Sequence, residues 1–282
     1  MKPTRLTAIA IATFIVLGAL AARVSDTSSP AALAADPLTV VRGAAAAGAV
    51  ASRVNPPKPP GTTTPAPTAG HFVTLPPGSA LPSDAACAAA VRPMPERRPD
   101  NAVANHTVGT NSQVPGVTGN FVGTTDELIE WVACKWGIDE DVVRAQIALE
   151  SGWHQNHQGD FSTDASTCHP DFRTVIPCPQ SIGLGQIRFP YHGAAYADKN
   201  AIKSSAYNLD YTYFRWRSCF DGNEGWLNGF ERGQNYVAGD VWGCVGLWFA
   251  GRWHTSDANG YILRVQDYLN RRIWDTPAFA NF

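Results

Sequence analysis

The sequence predicts a mainly α, α+β fold: a C-terminal helical domain that carries one long disulfide-closed loop or a small β-hairpin. Three observations predict it. Apolar residues recur at helical spacing in several segments after Thr124. A polar stretch from Trp153 to Ser181 breaks that spacing and holds two cysteines, Cys168 and Cys178. All nine Trp lie between Trp131 and Trp274, so the core-forming mass is C-terminal.

The elements follow in order. Lys2 and Arg5 precede an uncharged, mostly apolar run from Leu6 to Ala22, the pattern of an export signal. Small-residue cleavage sites stand at Ala19-Leu20-Ala21 and Ala32-Leu33-Ala34. The run is at the short limit for a membrane span, so residues 1–22 are expected to be a signal peptide or an N-terminal anchor. No cysteine follows the run until Cys87, which argues against a lipid-anchored mature end. Residues 23–80 are rich in Pro, Ala and Thr, with Pro56, Pro57, Pro59, Pro60, Pro65 and Pro67 among them. Such a segment is extended and packs no core, so it is expected to be a disordered linker. Residues 81–120 read as an N-terminal strap tied by Cys87, an ordered tail without chemistry of its own. Residues 121–282 are expected to form the working domain.

Thr124-Thr125-Asp126 starts a helix with Leu128, Ile129, Val132 and Trp136 on one face, and Gly137 ends it. Asp139 caps a second helix through Val142, Val143 and Ile147, ending near Glu150-Ser151-Gly152. Later helical stretches are Ala206–Ser218, Asp240–Phe249 and Ala258–Ile273.

Six cysteines fit an oxidising compartment. The sequence does not fix their pairing. Local proximity favours Cys168–Cys178 and Cys219–Cys244, which leaves Cys87–Cys134. No CxxC occurs, and the histidines show no ligand spacing beyond His154 and His157, so no metal is expected. The net charge of −2 and the lack of a Lys/Arg cluster argue against nucleic acid. They also argue against long-range steering onto an anionic polymer, which would have to be held by a local groove.

Glu150 is the candidate catalytic residue. It lies three residues after Ile147 and seven after Val143, on their buried face. It also sits at a helix C-terminus, where the macrodipole is negative. Burial and dipole both push its pKa upward, as a general acid working near neutral pH requires.

The segment Val142-Val143-Arg144-Ala145-Gln146-Ile147-Ala148-Leu149-Glu150-Ser151 resembles the catalytic helix of the soluble lytic transglycosylase family, within the lysozyme-like superfamily. Gly183-Leu184-Gly185-Gln186-Ile187 is similar to that family's Gly-Leu-Met-Gln motif, with Gly185 where Met is usual. Asn208-Leu209-Asp210-Tyr211 resembles the Asn-led helix that lines its groove. Leu247-Trp248-Phe249-Ala250-Gly251 stands where the family has Ala-Tyr-Asn-Ala-Gly, and Tyr261 stands where a late Tyr faces the site. The resemblance covers roughly residues 127–274.

It implies a lysozyme-like domain with the inserted loop beside an active-site groove. It implies cleavage of the β-1,4 bond between N-acetylmuramic acid and N-acetylglucosamine in peptidoglycan, by a single Glu and without a cofactor. The product would be a 1,6-anhydromuramyl end. Ser151, Gln186, Asn208, Trp248 and Tyr261 are the implied substrate contacts. The expected protein is a monomer that meets peptidoglycan glycan strands and is secreted, periplasmic or cell-wall associated. Two departures stand out: the long spacer from Glu150 to Gly183, and the loss of the Tyr-Asn pair. They keep two other readings open. One is a hydrolytic lysozyme that draws a second carboxylate from Asp160, Asp164 or Asp171. The other is a non-catalytic peptidoglycan-binding module.

Overall fold

The structure, a computed structural model, describes residues 70–98, 101 and 114–279. The expected signal or anchor (1–22) and the linker up to residue 69 lie outside the described residues. Among the described residues, no helix is long and apolar enough to cross a membrane.

Local chemistry sets the helix ends. Thr124 and Glu127 form a reciprocal capping box at the start of α2 (Thr125–Trp136), and Gly137 closes it in a left-handed conformation. Asp139 accepts from the backbone N–H groups of Asp141 and Val142 and so starts α3 (Glu140–Ser151). Four further helices follow: α4 (Asn200–Lys203), α5 (Ser205–Phe220), α6 (Val241–Ala250) and α7 (Ser256–Asn270). The expected helical stretches all correspond to observed ones, with ends displaced by a few residues. A short helix within the strap, α1 (Asp84–Ala90), adds to them.

The helices are mainly buried against one another. α3 packs on α2 and α7, α5 packs on α2, and α6 joins α5 and α7. Leu128, Ile129, Val132, Val143 and Ile147 are fully buried at the centre. Arg144 fixes the roll of α3. Its guanidinium donates to Asp126 at 2.7 Å, to Glu130 at 2.9 Å and to Glu140 at 2.7 Å, so each face of the fork is spent.

The polar stretch forms a three-stranded antiparallel sheet in the order β1 (Gln158–Ser162), β2 (Cys178–Ile182), β3 (Ile187–Arg188). Gln158 pairs with Ile182 and Ser162 with Cys178. The fold is therefore mainly helical with a small sheet, the hairpin form of the expectation. Both disulfides favoured by proximity, Cys168–Cys178 and Cys219–Cys244, are present, and so is the remaining pair, Cys87–Cys134. Cys168–Cys178 closes the long β1–β2 connection.

The linker boundary needs correction. Residues 70–80 are not a free spacer but dock on the domain. Leu75 N donates to Gly137 O at 3.1 Å, and Phe72 N donates to the Glu140 carboxylate at 3.1 Å. Phe72 has an apolar ring to bury, which Pro-rich composition alone did not reveal.

Candidate active site

Glu150 occupies the last turn of α3, before the left-handed cap Gly152. The residue keeps part of its surface exposed, but its carboxyl group is buried and bonded to Tyr261. Burial pushes its pKa up to about 7. The negative charge of Asp160 pushes in the same direction, while the Tyr261 hydrogen bond and Arg264 oppose it. Desolvation wins because a charge taken out of water has few compensating donors here.

Tyr261, on α7, is buried, and its hydroxyl donates to Glu150 Oε1. That bond makes Oε1 the acceptor and leaves Oε2 as the place for an exchangeable proton. Behind the pair, the Tyr213 hydroxyl donates to Gln146 Oε1 at 3.2 Å, and Gln146 also bonds with Tyr261. Burial, then the nearby Glu150 charge, holds both tyrosine hydroxyls well above their ordinary pKa, so both stay neutral donors. Gln146 precedes Glu150 by four residues, one helical turn. That spacing was the available signal for Gln146; Tyr213 had none, because it arrives from α5.

The Gly183–Gln186 loop joins β2 to β3 and packs on α5. Gly183 has φ +82, and a Cβ there would collide with the Asn208 amide. A Cβ at Gly185 would strike the Thr212 hydroxyl, which gives a steric reason for Gly at this position. Asn208 Oδ1 accepts from Gly185 N at 2.8 Å. Its Nδ2 donates to Ile182 O at 2.9 Å and Ala201 O at 3.1 Å. Asn208 is fully buried, and its amide shapes the loop. Ser151 also bonds to the scaffold. It is buried, and its hydroxyl donates back to Ile147 O at 3.1 Å. Both are polar residues whose tertiary neighbours consumed their hydrogen bonds.

Gln186 is half-buried, and its amide N–H groups donate to Gly183 O at 2.8 Å and His157 O at 3.2 Å. Gly159 on β1 leaves room for its Oε1. Trp248 is half-buried, donates from Nε1 to Gly185 O at 3.0 Å, and stacks on His192 at 5.1 Å. Burial pushes His192 down to about 3, so this stack is neutral. Phe249 lies 52% exposed, with its ring parallel to Tyr261 at 4.8 Å.

The three loop aspartates part company. Asp160 reaches Glu150 electrostatically from β1, and Ser181 Oγ donates to it at 2.5 Å. Asp164 caps a short turn by accepting from Ser166, and Asp171 pairs with Lys199 at 2.7 Å.

The strap reaches the same turn. Arg98 Nε donates to Gly152 O at 2.8 Å. Asn101 Nδ2 donates to Trp153 O at 2.9 Å, and Asn101 Oδ1 accepts from Gln155 N at 3.0 Å. The segment read as a tail without chemistry therefore holds the backbone just after Glu150.

Among the described residues, His71, Glu140 and Asp141 bring candidate metal-ligand atoms within 4.8 Å of one another. Arg144 already occupies both carboxylates, and His71 bonds to Asp139 and Glu140, so the group is an ion-pair hub.

No family model, curated protein or solved structure matches the chain.

Proposed function

We propose that this protein cleaves the β-1,4 glycosidic bond between N-acetylmuramic acid and N-acetylglucosamine in peptidoglycan, with Glu150 as the single catalytic acid. The observation that carries the reading is the enclosed Glu150 carboxyl, bonded to Tyr261 and titrating near neutrality. With a pKa of about 7, it can both give a proton and take one back at neutral pH. Oε2 protonates the leaving glycosidic oxygen as the C–O bond breaks, leaving an oxocarbenium-like sugar. The resulting carboxylate then removes the proton from the C6 hydroxyl of that sugar, whose oxygen closes on C1. The product is a 1,6-anhydromuramyl end, and no water is consumed. Tyr261 remains bonded to Oε1 throughout and stabilises the carboxylate form between the two steps.

The lysozyme-like nature of the fold belongs to this proposal. It is supported by a catalytic helix that ends near a small antiparallel sheet. Gln186 and Trp248 are the retained substrate contacts, with Phe249 added. The three disulfides fit an oxidising compartment, and the proposed location is secreted, periplasmic or cell-wall associated.

One observation favours a second reading, hydrolysis. Asp160 is the loop carboxylate whose charge reaches Glu150, so it is the candidate to activate a water. Product mass from digested wall glycan separates the two. Anhydro products weigh one water less than hydrolysis products. Exclusively reducing-end products would overturn the single-Glu route. Equal clearing of wall by wild type and Glu150→Gln would overturn cleavage by Glu150 altogether.

A further inference from the structure

Beside Glu150 stands a cation with unspent donors. Arg264 is exposed on α7, one turn beyond Tyr261. Its guanidinium lies 5.6 Å from the Phe249 ring centroid and 5.7 Å from that of Tyr261. Among the described residues it makes no ion pair and no hydrogen bond. Arg271 and Arg272, further along the chain, each pair with carboxylates. The rings thus hold Arg264 in place without consuming its N–H groups, and a planar guanidinium suits a carboxylate bidentately.

Position gives this cation a use. Glu150 bonds to Tyr261, Tyr261 stacks on Phe249, and Arg264 covers both rings. Asp160, on β1, supplies a negative charge that acts on Glu150 in the opposite sense to Arg264. A ligand carboxylate near Glu150 is therefore attracted toward α7 and repelled from β1. With a net charge of only −2 and no basic cluster, the chain offers no long-range attraction that would make such a local contact redundant.

We propose that Arg264, seated on Phe249, forms a carboxylate-binding subsite next to the Glu150 carboxyl and selects sugars that bear an acid group. The inference rests on the cleavage reading in that the ligand is taken to be wall glycan. Two sources supply the carboxylate: the lactyl group of a peptide-free muramyl sugar, or the stem peptide where the lactyl group is an amide.

The test is calorimetric binding in a Glu150→Gln background, which prevents turnover. Three tetrasaccharides serve as probes: neutral chitotetraose, peptide-free muramyl glycan and peptide-bearing muramyl glycan. Arg264→Gln is expected to weaken one or both acid-bearing probes about tenfold, as loss of a partly exposed charge-assisted bond implies. Chitotetraose binding is expected to stay unchanged, and Arg264→Lys to lie between. The probe affected identifies the source of the carboxylate. Equal losses for all three probes, no loss for either acid, or no binding of either acid would overturn the subsite. Wild-type digestion of intact wall is scored separately. Acid-selective binding through Arg264 without digestion would keep the subsite and sink the cleavage reading; digestion with no Arg264 effect would do the reverse.

Discussion

Replacing Glu150 by glutamine is expected to stabilise the fold increasingly as pH rises, while abolishing cleavage. The folded carboxyl titrates at about 7 against an ordinary value of 4.5. Below the lower value both folded and unfolded chains hold the proton, and the group adds no pH dependence. Between the two values the folded chain retains a proton that the unfolded chain has released. Stability therefore falls as pH rises through this window and is fully reduced above it. The interval from 4.5 to about 7, at about 1.4 kcal/mol per unit, amounts to about 3 kcal/mol. Glutamine cannot ionise and still accepts from Tyr261, so it escapes the loss. Urea unfolding of both proteins with disulfides intact, from about pH 4 to about pH 8, gives the difference directly. Groups present in both proteins, such as His71 and His254, cancel in it. The expected result is a gain for the variant that grows by about 3 kcal/mol across the range. A flat difference, or a variant less stable at the alkaline end, would refute the claim that burial holds this carboxyl protonated.

Three other changes probe the same neighbourhood. Tyr261→Phe removes the donor that favours the carboxylate, so Glu150 should titrate about one unit higher, read by carbon NMR of a labelled Glu150 carboxyl. Asp160→Asn should lower the Glu150 pKa and move the alkaline limb of the activity profile down, with anhydro products retained; complete loss of cleavage would instead mark Asp160 as a second catalytic carboxylate. Asn208→Ala strands three buried backbone groups, at Gly185, Ile182 and Ala201, and should cost about 2–4 kcal/mol in chemical denaturation.

Much of the backbone plan was legible because its signals are local. The Thr124–Glu127 capping box and the Asp139 cap lie within a few residues of the helices they start. The buried face of α3 followed from spacing alone, and so did the placing of Glu150 at its end. The strap and the end of the linker were misjudged because their anchors are distant in sequence: Arg98 of the strap meets Gly152, and His71 at the linker's end meets Asp139 and Glu140. Arg264 went unnoticed for a related reason. An exposed Arg in a helix carries no pattern, and its use depends on Phe249 arriving from α6.

The sequence by itself determined that helical segments flank a polar stretch holding two cysteines, and that a carboxyl sits at the end of a buried helix face. Periodicity and caps are properties of neighbours along the chain, so no further information was needed. Only the tertiary structure decided what meets that carboxyl and its turn: a Tyr261 donor, the charge of Asp160 opposing that of Arg264, and a strap bonded to the backbone just after Glu150. It also decided that Asn208 and Ser151 spend their hydrogen bonds on the scaffold. Desolvation and partner choice depend on groups brought together from separate helices and strands, and both a pKa near 7 and an unspent guanidinium arise at that level.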